Sequence, residues 1–190
     1  MNGQAITGRK QNIEYDFYET PEWATRKAVE AMISDGIITA GAKLYEPCCG
    51  AGAIARVINE FGLDIMQSDI QTREYITGEK GIDVYGVPDG VCDVVITNPP
   101  YDRMTKDNML QEFLRISKGK VILLLNIFYL ASKDRKEMLD NSPLRHIYVH
   151  SDRVTMYPYG TEKPKNGGTK MYAWYVWDKE YAGPTTISRI

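Results

Sequence analysis

Asn98-Pro99-Pro100-Tyr101 is the stretch of this 190-residue chain best equipped for chemistry. It comes after the apolar run Asp93-Val94-Val95-Ile96-Thr97, which reads as a buried parallel strand. An amide is therefore expected at the carboxyl end of a strand, where open α/β sheets bind their ligands. Two prolines stiffen the turn after it, and the first pushes Asn98 away from helical φ and ψ. Such a turn can hold a planar amino group still. The Asn98 side-chain oxygen and the Pro99 carbonyl would accept its two hydrogens. Tyr101 would cover the face of the ring, a task that needs only an aromatic surface. A strand end broken by prolines would look the same in isolation, so other features must decide.

Glu46-Pro47-Cys48-Cys49-Gly50-Ala51-Gly52 comes after one expected strand and opens an expected helix. Gly50 and Gly52 let the backbone turn tightly and approach a ligand closely. Asp69 ends the next strand, where a carboxylate can take both hydroxyls of a ribose. Gly50-x-Gly52-x-x-Ala55, with Asp69 nineteen residues beyond Gly50, also meets the dinucleotide fingerprint. That leaves a nicotinamide-dependent oxidoreductase open. Glu46 favours another nucleoside, because a carboxylate at the strand tip repels a pyrophosphate and attracts an amino group or sulfonium. Asp83, at the end of a third strand segment, can accept from an adenine amino group. Three carboxylates on successive strand ends suit S-adenosyl-L-methionine, which carries a sulfonium, an ammonium, a ribose and an adenine.

The elements that must position these groups alternate. The pattern predicts strands over 43–46, 63–68, 82–85, 91–97, 121–125, 144–150 and 171–177. It predicts helices over 53–61, 108–117 and 133–139, and an earlier one from Thr20 and Pro21 to Asp35-Gly36, with Thr20 as N-cap. The alternation implies an α/β fold with a Rossmann-like, mostly parallel sheet of seven strands. The last two strands, with no helical pattern between them, should form an antiparallel C-terminal hairpin. Their connection, 151–170, is long and rich in Gly, Pro and Lys, which marks it as functional or disordered.

Length suits one domain over 1–190, with 1–15 a flexible, polar N-terminal segment. No apolar run is long enough to cross a bilayer and no signal peptide is evident, so a cytoplasmic location is expected, with no membrane partner. Three cysteines fit neither a disulfide framework nor a zinc site, and no metal is expected. Net charge is −2, but its distribution is uneven. Over 42–95 acids outnumber bases nine to four; over 101–136 bases lead eight to four; over 153–170 they lead four to one. An acidic half for a cationic cofactor beside a basic half for a polyanion would produce this asymmetry.

On these residues the chain resembles the S-adenosylmethionine-dependent DNA adenine-N6 methyltransferases. The glycine loop led by Glu46 matches that family's cofactor motif, and Asn98-Pro99-Pro100-Tyr101 its catalytic motif. The order, with Thr20-Pro21 upstream of the glycine loop, is similar to the gamma class. The stretches 16–21 and 172–177 look like small phage and prophage members, and the resemblance covers roughly 16–177. It implies a single methyltransferase domain and methyl transfer to adenine N6 in duplex DNA after base flipping. It implies cofactor contacts from Tyr18, Thr20, Pro21, Glu46, Pro47, Gly50, Gly52, Asp69, Ile70, Asp83, Val84 and Asn98, with Thr20 at the methionine end. Catalysis would fall to Asn98, Pro99, Pro100 and Tyr101. The basic residues Arg103, Lys106, Arg153, Lys163, Lys165 and Lys170 are the candidates for DNA contact, with Tyr157 and Tyr159 as stacking rings in the same loop. Phe128 and Tyr129, after the fifth strand, are candidate pocket walls, core packing being the expectation for Phe128. The chain departs from gamma-class restriction-type enzymes in having no target-recognition domain within its length. Any sequence reading is then expected to come from loops, or from a partner, or to be weak. RNA adenine and protein-glutamine methyltransferases use a similar catalytic motif and remain alternatives. A non-catalytic binding module would leave the intact tetrapeptide unexplained.

Overall fold

The computed structural model describes residues 18–106, 108–161 and 170–190. The elements run β1 (Tyr18–Glu19), α1 (Glu22–Ser34), β2 (Leu44–Glu46), α2 (Ala53–Glu60), β3 (Ile65–Asp69), β4 (Glu79–Lys80), β5 (Cys92–Thr97), α3 (Tyr101–Lys106), α4 (Met109–Ile116), β6 (Ser117–Asn126), α5 (Lys136–Asp140), β7 (Leu144–Val149), β8 (Tyr157–Pro158), β9 (Tyr172–Asp178) and β10 (Thr186–Arg189). Eight strands form one sheet in the order β10-β7-β9-β6-β5-β2-β3-β4. Only β9 runs against its neighbours, β6 and β7; the other pairings are parallel.

Alternation along the central strands explains the layers. Val94 and Ile96 of β5, Ile122 and Leu124 of β6, and Trp174 and Val176 of β9 share one core with Ala24, Ala28 and Met32 of α1 and Ile54 and Ile58 of α2. Val95, Val121, Leu123, Leu125, Tyr175 and Trp177 point the other way and pack with Leu110, Phe113 and Ile116 of α4. Side chains of one strand alternate between faces, so a sheet covered by helices on both sides reads as continuous apolar runs. All seven residues of β9 are buried.

The expected α/β sheet and its antiparallel hairpin are present, with four local differences. Pro21, not Thr20, occupies the N-cap of α1, with φ −60° and ψ 127° and no side-chain cap; the Thr20 hydroxyl is engaged elsewhere. The third strand lies at Glu79–Lys80 rather than 82–85. Asp83 instead caps a 3-10 turn over Val84–Gly86 by accepting from the Tyr85 N–H at 3.2 Å, the local competition with sheet pairing to which aspartate is prone. The sheet has eight strands rather than seven because β10 joins the edge beside β7. There His146 lies 2.6 Å from Thr186 Oγ1 and 2.9 Å from Ser188 Oγ through its two ring nitrogens. Finally, β1 and β8 form a separate antiparallel pair, Tyr18 with Pro158 and Glu19 with Tyr157. The expected N-terminal segment, Lys163 and Lys165, and the side chains of Arg103, Lys106 and Tyr157 lie outside the described residues. Among the described residues no helix is long and apolar enough to cross a membrane.

Candidate functional site

Three neighbouring strands end together. Leu44 and Tyr45 of β2 lie opposite Val94 and Val95 of β5, and Glu46 lies opposite Gln67 of β3. Glu46, Asp69 and Asn98 therefore reach one carboxyl edge. A cavity of about 250 Å³ opens there. It is lined by Tyr18, Thr20, Glu46, Pro47, Gly50, Asp69, Ile70, Asp83, Val84, Asn98, Pro99, Pro100 and Tyr101. Segments eighty residues apart in sequence thus share one cavity, as the motif order implies. Pro21 and Gly52 are not in its lining. Pro21 lies in a separate groove with Arg26, Arg56 and Arg153. Gly52 stands before α2 with φ +76°, and a Cβ there would meet Thr77 Oγ1 at 2.5 Å. Its role is to turn the chain.

The carboxylates differ in their surroundings. Glu46 is buried, and its Oε2 has no hydrogen-bond partner. Burial pushes its carboxyl well above the usual range and nearby Asp69 adds to the shift, against a hydrogen bond from the Ala55 backbone. An unpaired buried carboxylate oxygen is costly unless a donor arrives. Asp69 is also raised by burial, opposed by hydrogen bonds from Gln71 and Gly50. Gly50 N–H donates to Oδ2 at 2.9 Å and Gln71 N–H to Oδ1 at 2.8 Å. Those contacts hold the carboxylate square to the glycine loop. Each oxygen keeps a second lone pair for a ligand hydroxyl.

Asn98 is fixed in one orientation. Its Nδ2 donates to Thr20 Oγ1 at 3.1 Å and contacts the Tyr18 carbonyl at 3.4 Å. Its Oδ1 accepts from the Tyr101 hydroxyl at 2.7 Å. The Tyr101 ring in turn stacks on Tyr172, with centroids 6.1 Å apart. Tyr101 thus uses its hydroxyl as well as its ring, which revises the reading that the ring alone matters. Thr20, expected as a helix cap and cofactor contact, anchors the amide. Thr20→Val removes that acceptor while keeping the shape, and turnover should fall about 5–10-fold, the worth of one hydrogen bond. Thr20→Ser should retain activity. Steady-state kinetics of the two variants check this.

No sequence signal pointed to Met156, whose sulfur lies 3.7 Å from both Asn98 Nδ2 and the Tyr101 hydroxyl. The same loop brings Tyr159 onto Tyr75 at 4.6 Å, and Tyr75 lines the cavity. Tyr159 thus rests one side of its ring on protein and keeps 42% of its surface exposed. The described part of 151–170 is held against residues of the cavity wall by these contacts and the β1–β8 pair, although none of it lines the cavity. Arg153 and Lys170 are exposed, and Arg153 stands apart from the cavity in the groove with Arg26.

The order of Phe128 and Tyr129 is reversed. Tyr129 is 9% exposed and belongs to the core, whereas Phe128 is 68% exposed. Cys49 and Cys92 are buried and Cys48 is half-buried, and all three are free. Burial pushes the Cys49 thiol up to about 11. Among the described residues no cluster of His, Cys, Asp or Glu could hold a metal ion.

No family model matches the chain, and no curated protein matches it in sequence. Solved structures match in fold. A provisionally assigned RNA methyltransferase from Pyrococcus horikoshii is 16% identical, with a TM-score of 0.64 over 86% of this chain and 87% of that one. A modification subunit of a provisionally assigned type I restriction enzyme from Vibrio vulnificus is also 16% identical, with a TM-score of 0.58. The match covers 92% of this chain but 47% of that subunit, so this chain spans about half its length. A provisionally assigned class I S-adenosylmethionine-dependent methyltransferase from Listeria monocytogenes is 12% identical, with a TM-score of 0.51 over 90% and 73% of the two chains. At these identities the likeness is one of fold: the chain has the α/β architecture of these methyltransferase structures.

Proposed function

We propose that this chain is a single-domain methyltransferase that moves a methyl group from S-adenosyl-L-methionine to the N6 amino group of adenine in DNA. The observation that carries this reading is Asn98. Its amide is anchored through Nδ2, so Oδ1 serves as an acceptor in the same cavity as the unpaired Glu46 Oε2. An amide oxygen suits an amino substrate, and a buried unpaired carboxylate oxygen suits a cationic cofactor.

The residues fit the cofactor group by group. Glu46 would accept from its ammonium and Asp69 from its ribose hydroxyls. Asp83 would accept from its adenine, with Ile70 and Val84 against that ring. Gly50 and Pro47 would form the loop beneath, with Tyr18 and Thr20 closing the side. When bound, the cofactor supplies a methyl group activated by positive sulfur. Adenine N6 is a weak nucleophile because its lone pair is delocalised into the ring. Asn98 Oδ1 and the Pro99 carbonyl would accept its two hydrogens and draw it toward tetrahedral geometry, localising that lone pair. Pro100 stiffens the turn, and Tyr101 would cover the base face. Asn98 Oδ1 and the Pro99 carbonyl would hold the N6 proton that methylation displaces until it passes to water. Neither His146 nor His150 lines the cavity. Holding reactants in line is the main service, and well-oriented groups can recover ~7–11 kcal/mol of barrier.

A duplex target must first be flipped out, at a cost of a few kcal/mol. The neighbours described as a restriction modification subunit and an RNA methyltransferase support a nucleic-acid substrate. Incubation with labelled cofactor and a panel of duplex DNA, single-stranded DNA, RNA and protein tests the reading. N6-methyladenine in DNA is the expected product, and label on glutamine or RNA alone would replace it.

Lysines and arginines that touch phosphate position a protein without reading sequence. Arg153, Lys163, Lys165 and Lys170, with Arg103 and Lys106, are the proposed contacts. Replacing Arg153, Lys163 and Lys165 by Ala should weaken DNA binding for all sequences alike. The dependence of log affinity on log salt should flatten by ~0.9 per lost contact. Binding titrations at several salt concentrations measure the slope, and an unchanged slope counts against these residues.

A further inference from the structure

β6 outruns β5. Thr97, the last residue of β5, lies opposite Leu123, and β6 continues through Leu124, Leu125 and Asn126. At ~3.3 Å per residue the end of β6 stands ~10 Å beyond the end of β5, and ~4.8 Å to its side. The next turn, Ile127–Leu130, therefore overhangs the edge carrying Asn98. This turn is pinned on all sides. Phe128 N–H donates to Asn126 Oδ1 at 2.9 Å, and Ile127 N–H to the Met171 carbonyl at 2.8 Å. The Tyr175 hydroxyl lies 3.2 Å and 3.3 Å from the Asn126 and Ile127 carbonyls. Arg135 Nε donates to the Tyr129 carbonyl at 3.0 Å.

On this rigid backbone Tyr129 turns inward against Tyr175, and Phe128 is held out at 68% exposure. Phe128 is the most exposed of the large hydrophobic residues described. Met171, whose carbonyl takes the Ile127 N–H, is also exposed, and so are Lys133, Asp134 and Lys170. An apolar ring presented on a fixed ledge, over the edge that carries Asn98, matches a partner that offers flat aromatic faces there. A protein partner would be served by an apolar patch alone.

We propose that Phe128 is a base-stacking platform, its ring seated on a nucleobase beside the adenine that enters the cavity. The proposal rests on the nucleic-acid reading above and adds a contact outside the cavity. A fixed ring loses little entropy on contact, and every base has a π-face, so the platform would add affinity with little sequence preference.

The full chain with Phe128→Ala, Phe128→Leu and Phe128→Trp tests it, with sheared duplex DNA lacking methylated adenine as probe. Phe128 is exposed, so the variants should fold as the parent does. Phe128→Ala should raise KM for DNA about 5–150-fold, equivalent to ~1–3 kcal/mol per stacked base. The cofactor dissociation constant should stay unchanged. Phe128→Trp should restore KM, and its added indole fluorescence should be quenched by DNA. Phe128→Leu should not restore it. Unchanged KM in Phe128→Ala, with the parent active on DNA, overturns the platform and leaves the methyltransferase reading standing. Leu matching Trp overturns stacking in favour of plain apolar contact. A parent enzyme that neither binds nor methylates DNA overturns both, and that result is read on the parent alone.

Discussion

Glu46→Gln should move cofactor affinity and thermal stability in opposite directions. The Glu46 carboxyl is buried with Oε2 unpaired, and burial is the main cause of its raised pKa. In the unfolded chain it titrates as an ordinary carboxyl. Between that range and the raised folded value, the folded state binds more protons than the unfolded state. Stability without ligand is therefore greatest below the ordinary carboxylate range and declines as pH rises through the folded value. Gln removes the buried charge, so the ligand-free variant should melt at higher temperature at neutral and alkaline pH. A cationic group on the cofactor inverts this. Its ammonium would pair with the carboxylate, and breaking one buried ion pair costs ~3–5 kcal/mol, so affinity should fall about 10²–10⁴-fold. Binding to the parent should release protons in the window between the two pKa values, and affinity should increase with pH there. Calorimetry in buffers of different ionisation enthalpy reads the proton count, and a melting curve reads the stability. A Gln variant that binds as tightly as the parent would remove Glu46 from the cofactor site.

Asn98→Ala should lower turnover about 10²–10³-fold and leave cofactor affinity almost unchanged. Asn98 Oδ1 is the proposed acceptor for the target amine, and the geometry that aims it runs through Thr20, Tyr18 and Tyr101. Removing one preorganised polar group from a reacting centre typically costs ~10²–10³-fold in kcat. The loss should appear in kcat with DNA saturating, because the cofactor's own acceptors are Glu46, Asp69 and Asp83. Single-turnover assays with labelled cofactor, alongside direct binding, separate the two effects. Turnover close to the parent level would assign the amide a structural role in holding Thr20.

Much of the framework was readable in the chain. Apolar runs with turn residues at their ends marked β2, β5, β7 and β9, and helical spacing marked α1, α2 and α4, because burial on one face or two imposes a period. The missing helix between β7 and β9 was enough to imply their antiparallel pairing. The cavity's composition was readable as well, since strand ends in a parallel sheet converge at one edge. Short pairings were not readable. β1, β4 and β8 have two residues each, too few for any period, and they form only where the rest of the fold delivers their partners.

Side-chain assignments divided along the same line. Residue types and spacing alone put an amide, two carboxylates and a glycine loop at neighbouring strand ends; the third carboxylate, Asp83, caps a 3-10 turn instead of ending a strand. Their partners came from the folded state. Thr20 caps nothing because Asn98, 78 residues away in sequence, takes its hydroxyl. Met156 reaches the amide only because β8 pairs with β1. Phe128 and Tyr129 are adjacent and alike in composition, and which one enters the core depends on the Asn126 and Tyr175 contacts that orient the turn. Local pattern sets which face of an element is apolar; which distant group meets a given atom is decided by how the elements pack.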